Sequence, residues 1–94
     1  MSSPSPITHT LDPAKWIDNY SDYLFRYTII RINDHEISKD LVQETFFSGL
    51  KSAKNFEGKA TERTWLISIL KRKIIDHYRK TNSKKGQAEV RMNF

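Results

Sequence analysis

The sequence predicts an all-α domain of three helices, on three observations. Apolar residues recur at steps of three and four through three separate stretches, turn-forming residues divide those stretches, and no segment alternates apolar and polar residues like a half-buried strand. The 94 residues, with three Gly, three Pro, no Cys and 37% hydrophobic content, fit one small domain. A chain of this length buries only roughly 60–65% of its unfolded surface. Its apolar residues are needed for the core, and a large internal active site is not expected.

Residues 1–11 carry Ser, Thr and Pro without periodicity and are expected to form a disordered arm. Asp12 followed by Pro13 is the preferred opening of a helix, a cap and then a proline at the first helical position. Trp16, Tyr20, Leu24, Tyr27 and Ile30 place the first helix over about 13–32 and give it an aromatic apolar stripe. The turn residues Asn33, Asp34, His35 and Glu36 break the pattern. The second helix then runs to about Lys54, with Ile37, Leu41, Phe46, Leu50 and Ala53 expected inward and Asp40, Gln43, Glu44 and Phe47 on another face. A loop with Gly58 leads to Thr61, the best candidate cap for a third helix over about 62–81. In that helix Ile67, Leu70, Ile74 and Tyr78 form the expected inward stripe, with Leu66 at its margin. Trp65, Ile69, Arg72, Asp76 and Arg79 share a different face, one that a purely solvated surface would not usually carry. The expected organisation is therefore an arm over 1–11, a helical domain over 12–81, and the start of a linker over 82–94, where 90–94 could add a short turn.

Charge is unevenly spread. Residues 1–50 hold four Lys/Arg against seven Asp/Glu, a net of −3, whereas residues 51–94 hold twelve against four, a net of +8. A basic half points to a polyanion and an acidic half to a basic partner, although solubility alone would also favour lysine-rich helices. Without cysteine there is no disulfide framework and no thiolate metal site, the apolar runs are far too short for a membrane span, and the first residues lack the pattern of a signal peptide. These features point to a cytoplasmic protein. His9, His35 and His77 lie on different segments, no two at the spacing of a metal pair, and no nucleophile motif or phosphate loop accompanies them. No catalysis, metal or cofactor is expected.

Phe56, Trp65, His77 and Tyr78 are interleaved with Lys54, Lys59, Arg63, Lys71, Arg72, Lys73, Arg79 and Lys80. Basic groups hold phosphates, and exposed aromatics stack on unpaired bases at roughly 1–3 kcal/mol each. The pattern reads as single-strand capture. The other reading has Phe56 and Trp65 in the core and the lysines merely solvated.

Two stretches carry a family resemblance. Asp40-Leu41-Val42-Gln43-Glu44-Thr45-Phe46 resembles the D-L-V-Q-E-T-F segment of region 2 of the extracytoplasmic-function (ECF) sigma factors of bacterial RNA polymerase. Phe56-Glu57-Gly58, Thr64-Trp65-Leu66, Ile69, Ile75-Asp76 and Arg79-Lys80 resemble its F-x-G … T-W-L-x-x-I … I-D-x-x-R pattern. The resemblance covers about residues 13–81. It implies that Asp40, Leu41, Gln43, Glu44 and Phe47 dock on core RNA polymerase, at the clamp coiled coil of the largest subunit. It also implies that the third helix and the loop before it bind the minus-ten promoter element and hold the non-template strand after melting. Trp65, Ile69 and Arg72 match the duplex-reading face, and Phe56 and the loop through Lys59 to Thr61 match a pocket for a flipped base. Lys71, Lys73, Arg79 and Lys80, with Arg63, would meet phosphates, while Asp76 would hold the neighbouring guanidinium groups.

Departures from the family pattern fall in the base-reading zone. Arg72 stands where many ECF factors carry Asn, and Glu62 where an aromatic is common. Arg favours guanine edges or phosphate, so base identity does not carry over. Leu66 replaces the second Trp of housekeeping factors, leaving one aromatic wedge. ECF factors also continue into a helix-turn-helix domain for the minus-thirty-five element, which is not seen after Lys80; a fragment of a longer factor is the expectation. Anti-sigma factors commonly mask this surface in the family, though no residue identifies one. The alternatives are a polymerase-docking module without promoter reading and a generic basic helical DNA-binding domain.

Overall fold

The computed structural model describes residues 9–84, with side chains to Thr81. A 3-10 turn, Pro13–Lys15, opens into α1 (Trp16–Ile32); α2 (His35–Ser52) follows, then a second 3-10 turn, Ala53–Asn55, and α3 (Glu62–Lys84). Among the described residues there is no strand, and the three-helix class holds. α3 runs three residues past its expected end, and the expectations for 1–8 and 85–94 lie outside the described residues. Within the expected arm, residues 9–11 are placed: His9 N donates to Gly58 O at 3.1 Å, and Leu11 packs against the core.

The helix ends show why the chain turns where it does. Asn33 closes α1 in the left-handed conformation (φ 58°), which asparagine tolerates better than most residues, and its N–H reaches Ile29 O at 2.9 Å. Asp34 immediately caps α2, its side chain accepting from Ile37 N at 3.0 Å. Two residues thus reverse the chain and set α1 against α2. Thr61 caps α3 as expected, accepting from Thr64 N at 3.2 Å. Asp12 does not cap with its side chain; it precedes the 3-10 turn instead.

The core is formed by Trp16, Leu24, Leu41, Val42, Leu66, Leu70 and Ile74. Its α3 contribution is a stripe at steps of four, and Leu66, expected at the margin, lies at the centre and is fully buried. Ile30 and Leu50, expected inward, are 76% and 54% exposed. Each step of three falls about 60° short of a full turn, so the stripe continued from Leu24 through Tyr27 to Ile30 slides off the buried face. In α2 the buried line is Ser38, Leu41, Val42, Thr45 and Gly49, and Leu50 sits beside it on the outer surface. Thr28 and Thr45 are buried because their hydroxyls donate to the carbonyls of Leu24 and Leu41, each at 2.8 Å, which offsets the loss of water. Gly49 is required by proximity: a Cβ there would lie 3.0 Å from two carbons of the Trp16 ring.

Candidate nucleic-acid interface

The face of α3 isolated by helical spacing lines a groove. Trp65, Ile69, Arg72 and Asp76 form one wall and Ser48, Ser52 and Asn55, from the end of α2 and the turn after it, form the other, enclosing about 340 Å³. Trp65 and Ile69 are half-buried, whereas Arg72 and Asp76 are exposed. An apolar floor with cationic and amide groups at its mouth can hold the planar face of a base while charging the rim against phosphate. Lys73 also lines this groove. Its place follows from residues 65, 69 and 73 lying one helical turn apart, a spacing that was legible in the sequence.

Beside the groove, the loop before α3 forms a second concavity of about 220 Å³, lined by Asn55, Phe56, Glu57, Lys59, Ala60 and Trp65. Trp65 is shared between the two. Its ring meets Phe56 edge-on with centroids 5.1 Å apart and rests against Trp16 at 6.3 Å. Gly58, buried and at φ 78°, supplies the bend that brings Phe56 back toward Trp65. Lys59 pairs with Glu57 at 3.2 Å, both side chains largely in solvent, so the pair contributes little and leaves the lysine available.

Other residues expected in this interface lie elsewhere. Arg63 stands over the Tyr23 ring at 4.7 Å, on the α1 side of the molecule. Lys71 lines a separate concavity with Tyr27, Arg31, Ile74 and Ile75. Arg79 and Lys80 are exposed further along α3. Asp76 makes no ion pair among the described residues, so it does not clamp Arg72 or Arg79. Thr61 is engaged as the α3 cap.

Glu62, expected at a base-reading position, turns inward and accepts three hydrogen bonds: from Asp12 N, from Trp16 Nε1 at 2.9 Å, and from Tyr20 Oη at 2.9 Å. Burial pushes its carboxyl up, but the three donors together outweigh this and hold it below its ordinary range. Tyr20 is raised in turn, first by burial and then by its bond to the Glu62 carboxylate. Sequence spacing gave no sign of this contact, because its partners are 42 to 50 residues away.

On α2, Asp40, Gln43, Glu44 and Phe47 are exposed together, Phe47 by 59%, with Lys51 Nζ 4.7 Å above its ring. Leu41 points the other way, into the core. Leu50 adds an exposed apolar group one turn from Phe47, and a shallow groove of about 320 Å³ between α1 and α2, lined in part by Ile17, Asp22 and Gln43, continues this surface. No helix among the described residues is long and apolar enough to cross a membrane, and no cluster of three or more metal-ligating side chains occurs among them.

The sigma-70 region 2 family matches residues 16–84. The chain is 36% identical over 63 residues to the ECF RNA polymerase sigma factor SigX of Bacillus subtilis, covering 67% of this chain and 32% of that protein. It is 38% identical over 56 residues to a probable RNA polymerase sigma factor of Haemophilus influenzae, covering 60% and 29% of the two chains. It is 39% identical over 59 residues to the RNA polymerase sigma factor YlaC of Bacillus subtilis, covering 63% and 32%. The chain spans about a third of the length of these relatives. No solved structure gives a significant match.

Proposed function

The chain belongs to the sigma-70 region 2 family, and on that premise we propose that it is the polymerase-docking and minus-ten-reading module of an ECF-type sigma factor. The observation that carries this reading is the pair of rings Phe56 and Trp65, in contact where the loop concavity meets the groove under Arg72. An aromatic corner flanked by cations suits an unpaired base whose phosphates run along the rim.

The module performs no reaction; its work is differential binding. The exposed face of α2 offers carboxylates and an apolar ring to the clamp coiled coil of the largest polymerase subunit, where charge speeds and orients docking and Phe47 supplies apolar contact. Once docked, the groove and loop hold the non-template strand. Leaving the stack costs a base a few kcal/mol, returned by stacking at the Phe56–Trp65 corner and by a phosphate contact from Lys73. Arg72 reaches base edges, and Lys59, Arg79 and Lys80 meet the backbone nearby. The module acts in the cytoplasm, with polymerase.

The test is retention of core RNA polymerase by the 94-residue chain, wild type against Gln43→Ala and Glu44→Lys, with helicity followed by circular dichroism. Both substitutions should weaken retention without loss of helix. A folded wild-type chain that retains no polymerase from its own source would overturn the docking role. Arg72→Ala should then alter base preference in single-strand binding by the complex, whereas Lys80→Ala should weaken all sequences alike.

A further inference from the structure

We propose that residues 9–12, which precede the family-matched region, clamp the strand-reading corner, with Glu62 as the positioning residue through which they act; the proposal rests on the strand-reading role given above. The strap ties the middle of the loop and its junction with α3. His9 N donates to Gly58 O at 3.1 Å, and Asp12 N donates to the Glu62 carboxylate, where the loop becomes α3. The same carboxylate holds Trp16 Nε1 and Tyr20 Oη, so one side chain joins the strap, the first two turns of α1 and the start of α3.

The consequence passes through rings. Trp16 lies against Trp65, tilted at 54° with centroids 6.3 Å apart, and Trp65 in turn makes the edge contact with Phe56. Fixing the Trp16 indole by its N–H therefore fixes the far side of the corner that a base would enter. The loop between Phe56 and Thr61 contains no helix; its ends are held by Phe56 N on Ala53 O and by the Thr61 cap, and its middle is held from outside by the His9 bond to the Gly58 carbonyl. Ordering a backbone residue costs conformational entropy. The strap meets that cost before DNA arrives, so strand capture does not have to.

The experiment uses the full chain bound to core polymerase and a short randomised single-stranded DNA pool, comparing wild type, Glu62→Ala, Glu62→Gln and a chain lacking residues 1–10. Retention on polymerase and helicity should be unchanged throughout. Glu62→Ala and the shortened chain should bind the pool about tenfold more weakly and select bases less sharply, while Glu62→Gln, which keeps an acceptor oxygen, should restore most of both. Trp16 and Trp65 are the only tryptophans, so their emission should shift in Glu62→Ala before any DNA is added. If Glu62→Ala unfolds the domain, the shortened chain and Glu62→Gln decide. Variants that select and bind like wild type overturn the clamp alone. A wild-type complex without base preference overturns the strand-reading role, and the clamp with it.

Discussion

Replacing Gly49 by alanine sets two effects of known sign against each other. Within a helix, alanine is favoured over glycine by about 1 kcal/mol. Against this, the new Cβ would lie 3.0 Å from the Cη2 and Cζ3 atoms of Trp16 and 3.2 Å from Leu66 Cδ2. Neither neighbour has room to retreat: Trp16 is 2% exposed and Leu66 fully buried, and the indole is further held by its bond to Glu62. Overpacking of this kind costs about 1–3 kcal/mol. The packing cost therefore wins, leaving a net destabilisation of about 1 kcal/mol, and for a domain of this size that lowers Tm by roughly 4–8 °C. Thermal unfolding followed by circular dichroism measures it, and tryptophan emission reports whether Trp16 has moved. A Tm equal to or above that of the parent would refute the reasoning, because it would mean that the indole shifts freely and propensity alone decides.

Three other outcomes are expected. Glu62 has a carboxyl held below its ordinary value, so its contribution is complete above the unfolded value and is lost as pH falls through the folded one; Glu62→Gln should flatten the acid limb of a stability-against-pH curve. Tyr20, raised by burial and by Glu62, acts at the opposite end, its contribution being lost as pH climbs above its ordinary range. Ser38 Oγ is buried without a hydrogen-bond partner among the described residues, so Ser38→Ala should raise Tm, reversing part of an unsatisfied-group cost of about 1–3 kcal/mol. Lys73→Ala should weaken single-strand binding and reduce its salt slope by about one phosphate contact, whereas Lys71→Ala should change it less, because Lys71 lines a different concavity. Equal losses from the two lysines, measured across a salt series, would dismantle the placement of the groove.

The sequence disclosed what depends on short spacing. Three helices, the break at Asn33 and Asp34, the cap at Thr61, and the shared face of Trp65, Ile69 and Arg72 all follow from neighbours within one or two turns. What stayed hidden depends on distance along the chain. Glu62 stands at a position expected to face DNA, yet its donors lie in the strap and in α1. Arg63 and Lys71 count as basic residues of the basic half in any composition argument, but the direction of each side chain is set by where α1 packs on α3. The errors at Ile30 and Leu50 have another cause: apolar character was read as inwardness, although roughly 55–60% of a folded surface is itself apolar.

Leu50 and Phe47 also bear on how the two proposed binding surfaces, for docking and for strand reading, fit on so small a body. In α3 the buried residues Leu66, Leu70 and Ile74 are each preceded by a groove residue, Trp65, Ile69 and Lys73. In α2 the buried Leu41, Thr45 and Gly49 are preceded by Asp40, Glu44 and Ser48, two on the docking face and the third in the groove wall. Each working stripe is thus offset by one residue, about 100° of helical rotation, from a stripe that the core requires. Neither helix can turn its working face away without bringing buried leucines into water. The groove wall of α3 is therefore set, before any ligand, by the same packing that folds the domain, and a preformed surface loses less entropy on binding. The loop from Phe56 to Thr61 has no such stripe behind it, so its preorganisation for the proposed strand selection rests instead on its end bonds and on the strap bonded to Gly58 and Glu62.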